Sequence, residues 1–246
     1  MYKLYKGDCL EVMKEIPTGS VDMILCDLPY GTTECKWDSI IPLDRLWTEY
    51  ERIIKEDGAI VLTAAQPFTT QLIESNRKRF RYCWYWIKNT PTGFCFAKYQ
   101  PMRRVEDVCV FYKKAPKYHP QGLVRIEKPK SRIRKPLKNE DWIYRDTLNG
   151  EFTPQWTNYP SNVLNIKSER GFHPTQKPVP LFEYLIKTYT DEGMTVLDNC
   201  MGSGTTGVAC MNTNRKFIGI ELNEKYFNVA KERIEDSLTQ GEKQWA

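Results

Sequence analysis

Apolar positions in this chain follow two alternating rhythms. Val21-Asp22-Met23-Ile24-Leu25-Cys26 is a short, almost unbroken apolar run, as expected of a strand covered on both faces. Ala59 to Thr63 repeats that pattern. Between them, Leu43, Leu46, Trp47, Tyr50, Ile53 and Ile54 recur at helical spacing, and Gly58 is the expected stop. Upstream, the pattern predicts a short strand over Lys3 to Tyr5 and a helix over Asp8 to Glu15, opened by its acidic cap. Pro67 to Arg77 suits a helix with proline in its first turn. Phe80 to Ile87 and Val105 to Tyr112, rich in aromatic and β-branched residues, read as strands.

The rhythm breaks after Tyr112. From Lys113 to about residue 170, six prolines interrupt every helical period, and basic and aromatic residues interleave. Regular structure then resumes, with a helix over Val179 to Tyr189, a strand over Thr195 to Leu197 and a helix over Thr205 to Met211. A strand over Lys216 to Ile220 and a final helix over Asn223 to Leu238 close the chain. Alternating strands and helices imply an open, mostly parallel α/β sheet, doubly wound with helices on both faces. The expected organisation is one half over 1–112, an inserted module over 113–170 and a second half over 171–246.

Composition adds few constraints. The 246 residues are enough for one sizeable core, and 41% of them are apolar. No apolar run is long enough to cross a bilayer, and Met1 to Tyr5 lacks the core of a signal peptide, so the cytoplasm is the expected compartment. Eight cysteines occur without a Cys-x-x-Cys pair, which suggests reduced core thiols and no zinc site. Charge is more informative. Lys113 to Lys138 holds ten basic residues and one acidic residue, giving +9 against +5 for the whole chain. Such a segment fits contact with phosphates, and fits equally a solvated loop. Lys113, Lys114, Lys130 and Lys135 are the phosphate candidates, and Arg125, Arg132 and Arg134 the candidates for reading base edges.

Two short segments carry candidate chemistry. Asp27-Leu28-Pro29-Tyr30 follows the Val21 strand directly, placing a carboxylate, a stiff proline and an aromatic ring at its carboxyl end. That set can grip an exocyclic amine and stack on its base, although Asp and Pro also build ordinary turns. Far downstream, Asp198 leads into Gly202-Ser203-Gly204, and Thr205 opens the next helix. Glycines there allow a tight turn and close approach of a nucleotide-like cofactor. A purely structural turn and a hydride-carrying dinucleotide both remain open on spacing alone. Glu221 ends the following strand 23 residues after Asp198, near the spacing at which an acidic side chain meets ribose hydroxyls. Asn223 follows it at the start of the final helix.

These residues resemble the DNA amino-methyltransferases, which modify adenine N6 or cytosine N4 with S-adenosylmethionine. Asp27-Leu28-Pro29-Tyr30 is similar to that family's Asp/Asn/Ser-Pro-Pro-aromatic motif, with Leu28 in place of the first proline. Asp198 to Thr206 resembles its cofactor turn, with Asn199 and Cys200 in place of Pro and Phe. His173-Pro174-Thr175-Gln176-Lys177-Pro178 resembles the segment that precedes the turn and lines the methionine end. The order of the motifs resembles the circularly permuted β class. The resemblance implies a seven-stranded, Rossmann-like methyltransferase sheet with an inserted target-recognition region. It implies Asp8, His173, Thr175, Lys177, Asp198, Gly202, Gly204, Thr205, Glu221 and Asn223 around the cofactor, Asp8 against its adenine amine. It further implies DNA as partner, a bacterial or phage source, and a homodimer as a common assembly.

The implied reaction is direct methyl transfer to an amine on a base swung out of the duplex. Tyr30 would stack on the base, and Asp27 and the Leu28 carbonyl would accept the two amine N–H bonds. Aspartate at position 27 favours adenine N6. Cytosine N4 is the alternative enzyme, RNA or protein amides are weaker ones, and a DNA-binding relative without catalysis is motivated by the departures at Leu28, Asn199 and Cys200.

Overall fold

The computed structural model describes residues 1–31, 39–134, 150–169, 171 and 176–243. They form two compact units, Met1–His119 with Asn162–Ala246, and Pro120–Ser161. The large unit is built on a sheet of strands β1 (Tyr2–Lys6), β2 (Val21–Asp27), β3 (Ile54–Ala64), β4 (Phe80–Thr92), β5 (Arg103–Phe111), β10 (Val163–Asn165), β11 (Thr195–Asp198) and β12 (Lys216–Glu221). Their order across the sheet is β1-β12-β11-β2-β3-β5-β4-β10. Only β5 runs against its neighbours β3 and β4. The sheet has eight strands where seven were expected, because Val163–Asn165 pairs in parallel with Tyr85, Trp86 and Ile87 on the outer edge of β4.

The apolar runs are continuous because both faces are covered. Ile24 and Cys26 of β2 point into a core shared with α1 (Cys9–Val12), α2 (Leu43–Ile53) and α3 (Phe68–Ser75). Met23 and Leu25, one residue out of phase, point into a second core with α4 (Val179–Tyr189), α5 (Thr205–Asn212) and α6 (Glu224–Lys243). Period-2 alternation thus divides one strand between two helical layers. The spacing of Leu46, Trp47, Tyr50 and Ile53 keeps all four buried on one stripe of α2. The segment expected to be one helix after Asp8 is α1 followed by a 3-10 turn, Met13–Glu15.

Gly58 does not stop α2. The helix ends at Ile53, β3 begins at Ile54, and Gly58 lies inside β3. The β2–β3 register jumps there, from Val21 opposite Ile54 to Met23 opposite Ala59. A Cβ on Gly58 would come within 2.9 Å of the Asp22 carbonyl oxygen, so glycine serves close packing at an irregularity.

Two neighbouring strands start chains of connections in opposite directions. β2 leads through α2 to β3 on one side, and β11 leads through α5 to β12 on the other. The carboxyl ends of β2 and β11 therefore flank a topological switch point, where open α/β sheets form their ligand crevice. β1 pairs in parallel with β12, from Tyr2 opposite Phe217 to Lys6 opposite Glu221, the pairing expected of the permuted order.

The small unit is narrower than the expected insert of 113–170, since Lys113 to His119 and the β10 segment belong to the large unit. It contains two antiparallel ribbons. β6 (Val124–Arg125) pairs with β9 (Trp156–Thr157), and β7 (Arg132–Arg134) with β8 (Gly150–Phe152). Asn158 donates through Nδ2 to the Gly122 carbonyl at 2.7 Å, tying the first ribbon.

Candidate active site

A cleft of about 770 Å³ opens at the switch point. Asp27 to Tyr30 line one side, and Gly202, Ser203 and Glu221 line the other. The two separated motifs therefore meet in one cavity.

On the β11–β12 side the chain folds around its own carboxylates. Gly202 and Gly204 adopt φ of +51° and +81°, which disfavours any residue with a Cβ. At Gly204 a Cβ would also lie 2.9 Å from Ala230 of α6, so turn and helix pack against each other at backbone distance. Arg233 of α6 donates from Nη1 to the Ser203 carbonyl at 2.6 Å and locks that contact. Glu221 accepts the Gly202 N–H at 2.9 Å and the Asn223 N–H at 2.7 Å. Burial raises its carboxyl above the usual range, against the pull of these amides. Each carboxylate oxygen carries two acceptor directions, so ribose hydroxyls are compatible with the bonds already made.

Asp198 is the buried brace of the turn. It accepts the Thr206 hydroxyl and, at 3.0 Å, the Cys200 N–H. Burial nevertheless pushes its carboxyl up to about 7. Asn199, which replaces the usual proline, accepts the hydroxyl of buried Tyr50. The Cys200 thiol lies within hydrogen-bonding reach of those of Cys9 and Cys26, where an aromatic ring was the norm. Asp8 caps α1 by accepting the Leu10 N–H at 2.8 Å, and Asn223 caps α6 by accepting the Lys225 N–H at 3.0 Å. Both line the cleft, as does buried Thr205.

The β2 side is more heavily bonded than the tetrapeptide suggests. Asp27 Oδ1 accepts the Tyr30 hydroxyl at 2.8 Å and the Thr63 hydroxyl. Asp27 Oδ2 accepts from Lys177 Nζ at 2.7 Å. The Tyr30 ring stacks on Phe68 at 5.4 Å, and Lys177 Nζ lies 5.4 Å from the centre of the Tyr30 ring. Lys177 was expected at the methionine end of the cofactor. It lines the cleft, and its largely buried ammonium is directed to Asp27 because Asp27 and Glu106 give it two carboxylates. Burial alone would lower its pKa, and the two negative charges outweigh burial and raise it.

Glu106 falls in the stretch from Val105 to Tyr112 that reads as a strand, and its charge carried no assigned role. In the structure Glu106 lies in β5, largely buried, with Lys88 Nζ at 2.8 Å and Lys177 Nζ at 3.3 Å. Thr63, Phe68, Lys88 and Glu106 are the residues that motif reading missed. The available signals were a lone hydroxyl ending the apolar run of β3, and charges embedded in the aromatic strands β4 and β5.

The basic candidates separate. Lys113 and Lys114 both ion-pair with Glu56 near the start of β3, whereas Asp27 lies beside Thr63 near its end. That places them at the opposite end of β3 from the cleft, sharing one carboxylate. Arg125, Lys130 and Arg132 are exposed on the small unit, and Arg134 lies in its β7 strand. Lys135, His173 and Thr175 lie outside the described residues. Among the described residues no His/Cys/Asp/Glu cluster could hold a metal ion, and no helix is long and apolar enough to cross a membrane.

The model of the N6/N4 DNA methylase family matches residues 21–232, spanning both walls of the cleft. The chain belongs to this family. It is a DNA methyltransferase, and the family's methyl donor is S-adenosylmethionine. The chain is 28% identical to the type II methyltransferase M.HpaI of Haemophilus parainfluenzae, over 96% of its own length and 75% of that protein. It is also 28% identical to the DNA adenine methyltransferase YhdJ of Escherichia coli, over 93% and 81% of the two chains. The crystal structure of the M1.HpyAVI–SAM complex superposes with a TM-score of 0.64 at 27% identity, covering 95% of this chain and 99% of that one. The cleft suits such a cofactor, with its glycine turn, a buried acceptor at Glu221 and room for a nucleoside.

Proposed function

We propose that this protein is a DNA adenine-N6 methyltransferase acting on a base swung out of the duplex. The observation that supports it best is the meeting of Asp27-Leu28-Pro29-Tyr30 with the Gly202 turn in one cleft. Aspartate at position 27 and the likeness to an adenine methyltransferase favour adenine over cytosine. S-adenosylmethionine, when bound, supplies an electrophilic sulfonium methyl. The chain's own residues supply alignment. Glu221, Asp8 and Asn223 hold the nucleoside end beside the glycine turn. Asp27 and the Leu28 carbonyl accept the two amine N–H bonds, aiming the nitrogen lone pair into the cleft. As the new N–C bond forms, the S–CH3 bond breaks to leave a neutral thioether, and the amine proton, made acidic by the new bond, leaves through Asp27, which need not be a strong base. Alignment of this kind can supply several kcal/mol of the barrier.

Tyr30, its ring backed by Phe68, is the aromatic group that stacks on the extruded base. Phosphate contact falls to Arg125, Lys130, Arg132 and Arg134 of the small unit. A second group of contacts comes from the hairpin between β4 and β5, which carries exposed Phe94, Phe96 and Tyr99 among Lys98, Arg103 and Arg104. This hairpin leaves the sheet at the edge that also bears Asp27, because β5 starts where β3 ends. A bacterial or phage cytoplasm is the proposed setting.

Nucleoside analysis tests the reading. Genomic DNA incubated with the protein and methyl-labelled cofactor, then digested, is expected to yield N6-methyl-2′-deoxyadenosine. N4-methyl-2′-deoxycytidine would transfer the assignment to cytosine, and no labelled deoxynucleoside would refute catalysis on DNA.

A further inference from the structure

Asp27 is engaged before any substrate arrives. Hydroxyls from Tyr30 and Thr63 occupy one oxygen, and the Lys177 ammonium occupies the other at 2.7 Å. One acceptor direction remains on Oδ2, but an amine hydrogen taken up there competes with the Lys177 ammonium for the charge of that oxygen, so the bond strengthens if Lys177 yields. The hydroxyls are held in place, since Thr63 is fully buried in β3 and the Tyr30 ring is stacked on Phe68. Lys177 differs, because a second carboxylate is within reach.

Glu106 Oε2 lies 3.3 Å from Lys177 Nζ. It is buried and, among the described residues, has no hydrogen-bond partner. Its sister oxygen is anchored by Lys88 at 2.8 Å, and Lys88 is itself held by Thr92 at 3.2 Å. The side chains of Lys177, Lys88 and Glu106 are 6%, 7% and 15% exposed, so Lys177 is little hydrated in either seat. Two ammonium groups and two carboxylates balance. A short movement of Lys177 from one carboxylate to the other leaves the buried charge unchanged and avoids the cost of an unpaired ion.

We propose that Lys177 is a movable counter-ion and that Glu106 is a positioning residue providing its second seat. As the target amine reaches Asp27, Lys177 passes to Glu106 Oε2, and Asp27 Oδ2 becomes the acceptor for the amine N–H. Lys177 stays protonated throughout. This proposal rests on the reading of Asp27 as the amine acceptor. It gives a task to the buried Lys88–Glu106 pair, which does not itself line the cleft.

Steady-state methylation of a target duplex by Glu106→Gln and by the charge-balanced pair Lys88→Met with Glu106→Gln tests it. Both are expected to lower kcat about tenfold or more, the effect of removing a hydrogen bond to a charged group in the reacting state, while the Kd for S-adenosylmethionine stays within about twofold of wild type. Wild-type kcat in Glu106→Gln would overturn the proposal. So would recovery of kcat in the double variant, because charge balance would then explain the single one. Should either variant fail to fold, the wild-type complex with S-adenosylhomocysteine and target duplex decides. Lys177 Nζ should lie nearer Glu106 than Asp27 in that complex, and the opposite order would overturn the proposal. Absence of DNA methylation by the wild-type protein would instead remove the underlying reading.

Discussion

Lys177 Nζ and Asp27 Oδ2 are 2.7 Å apart, although 150 positions separate them in the chain. This ion pair joins the segment leading into the cofactor half to the tetrapeptide of the catalytic half. It binds the two motifs physically across the switch point between β2 and β11.

Asp27→Ala is expected to reduce methyl transfer to DNA by about 100-fold or more. The glycine turn is built without Asp27, so affinity for S-adenosylmethionine should stay within about threefold. Tritiated-methyl transfer and titration calorimetry measure the two effects separately. Activity surviving the change would remove Asp27 from the mechanism.

Gly204→Ala should destabilise the protein by about 1–3 kcal/mol. The substitution places a Cβ at φ +81° and 2.9 Å from Ala230. Thermal unfolding should show the loss, and cofactor binding should weaken with it, because α6 must shift away from the turn. An unchanged melting temperature would contradict the packing described.

Asp198 sets a pH dependence with a defined sign. Its folded carboxyl is pushed up to about 7 by burial, from an ordinary value of 3.8. Between these values the folded chain holds a proton that the unfolded chain has released, so this group's contribution to stability falls as pH rises and levels off above about 7. Asp198→Asn removes the titration. The stability of wild type relative to Asp198→Asn should therefore decline by up to about 1.4 kcal/mol per pH unit between pH 5 and 7. Urea unfolding of both proteins across that range measures it, and a flat difference would refute it.

Glu221→Gln retains shape but offers one acceptor oxygen to two amides, those of Gly202 and Asn223. A hydrogen bond to a charged group is worth about 1.5–3 kcal/mol, and the neutral amide also offers the cofactor a weaker acceptor, so the Kd for S-adenosylmethionine should rise about tenfold or more. Calorimetry at fixed pH reads this directly. An unaltered Kd would separate Glu221 from the cofactor.

Much of the fold was legible from local pattern. Val21 to Cys26 announced a strand covered on both faces, and Val179 to Tyr189 matched its helix residue for residue, because apolar periodicity and proline placement act over a few neighbours. The eighth strand was not legible. Val163–Asn165 is three residues long, and only the free edge of β4 makes it a strand. Gly58 misled for the same reason. A glycine after an apolar helix reads as a cap, whereas here the neighbouring β2 chain requires it.

In the site, the sequence by itself singled out groups that line the cleft: the Asp27 carboxylate with its proline and tyrosine, the turn at Gly202, and the acidic end of β12. Residue type and spacing fix those, since a positive φ or a carboxylate at a strand end is a local property. Only the tertiary structure decided what each group faces. Lys177 pairs with Asp27, Glu106 is a buried counter-ion, and Lys113 and Lys114 share Glu56 near the start of β3. A long side chain pairs with whatever opposite charge the fold brings within a few ångströms, and that distance depends on the packing of strands remote in sequence.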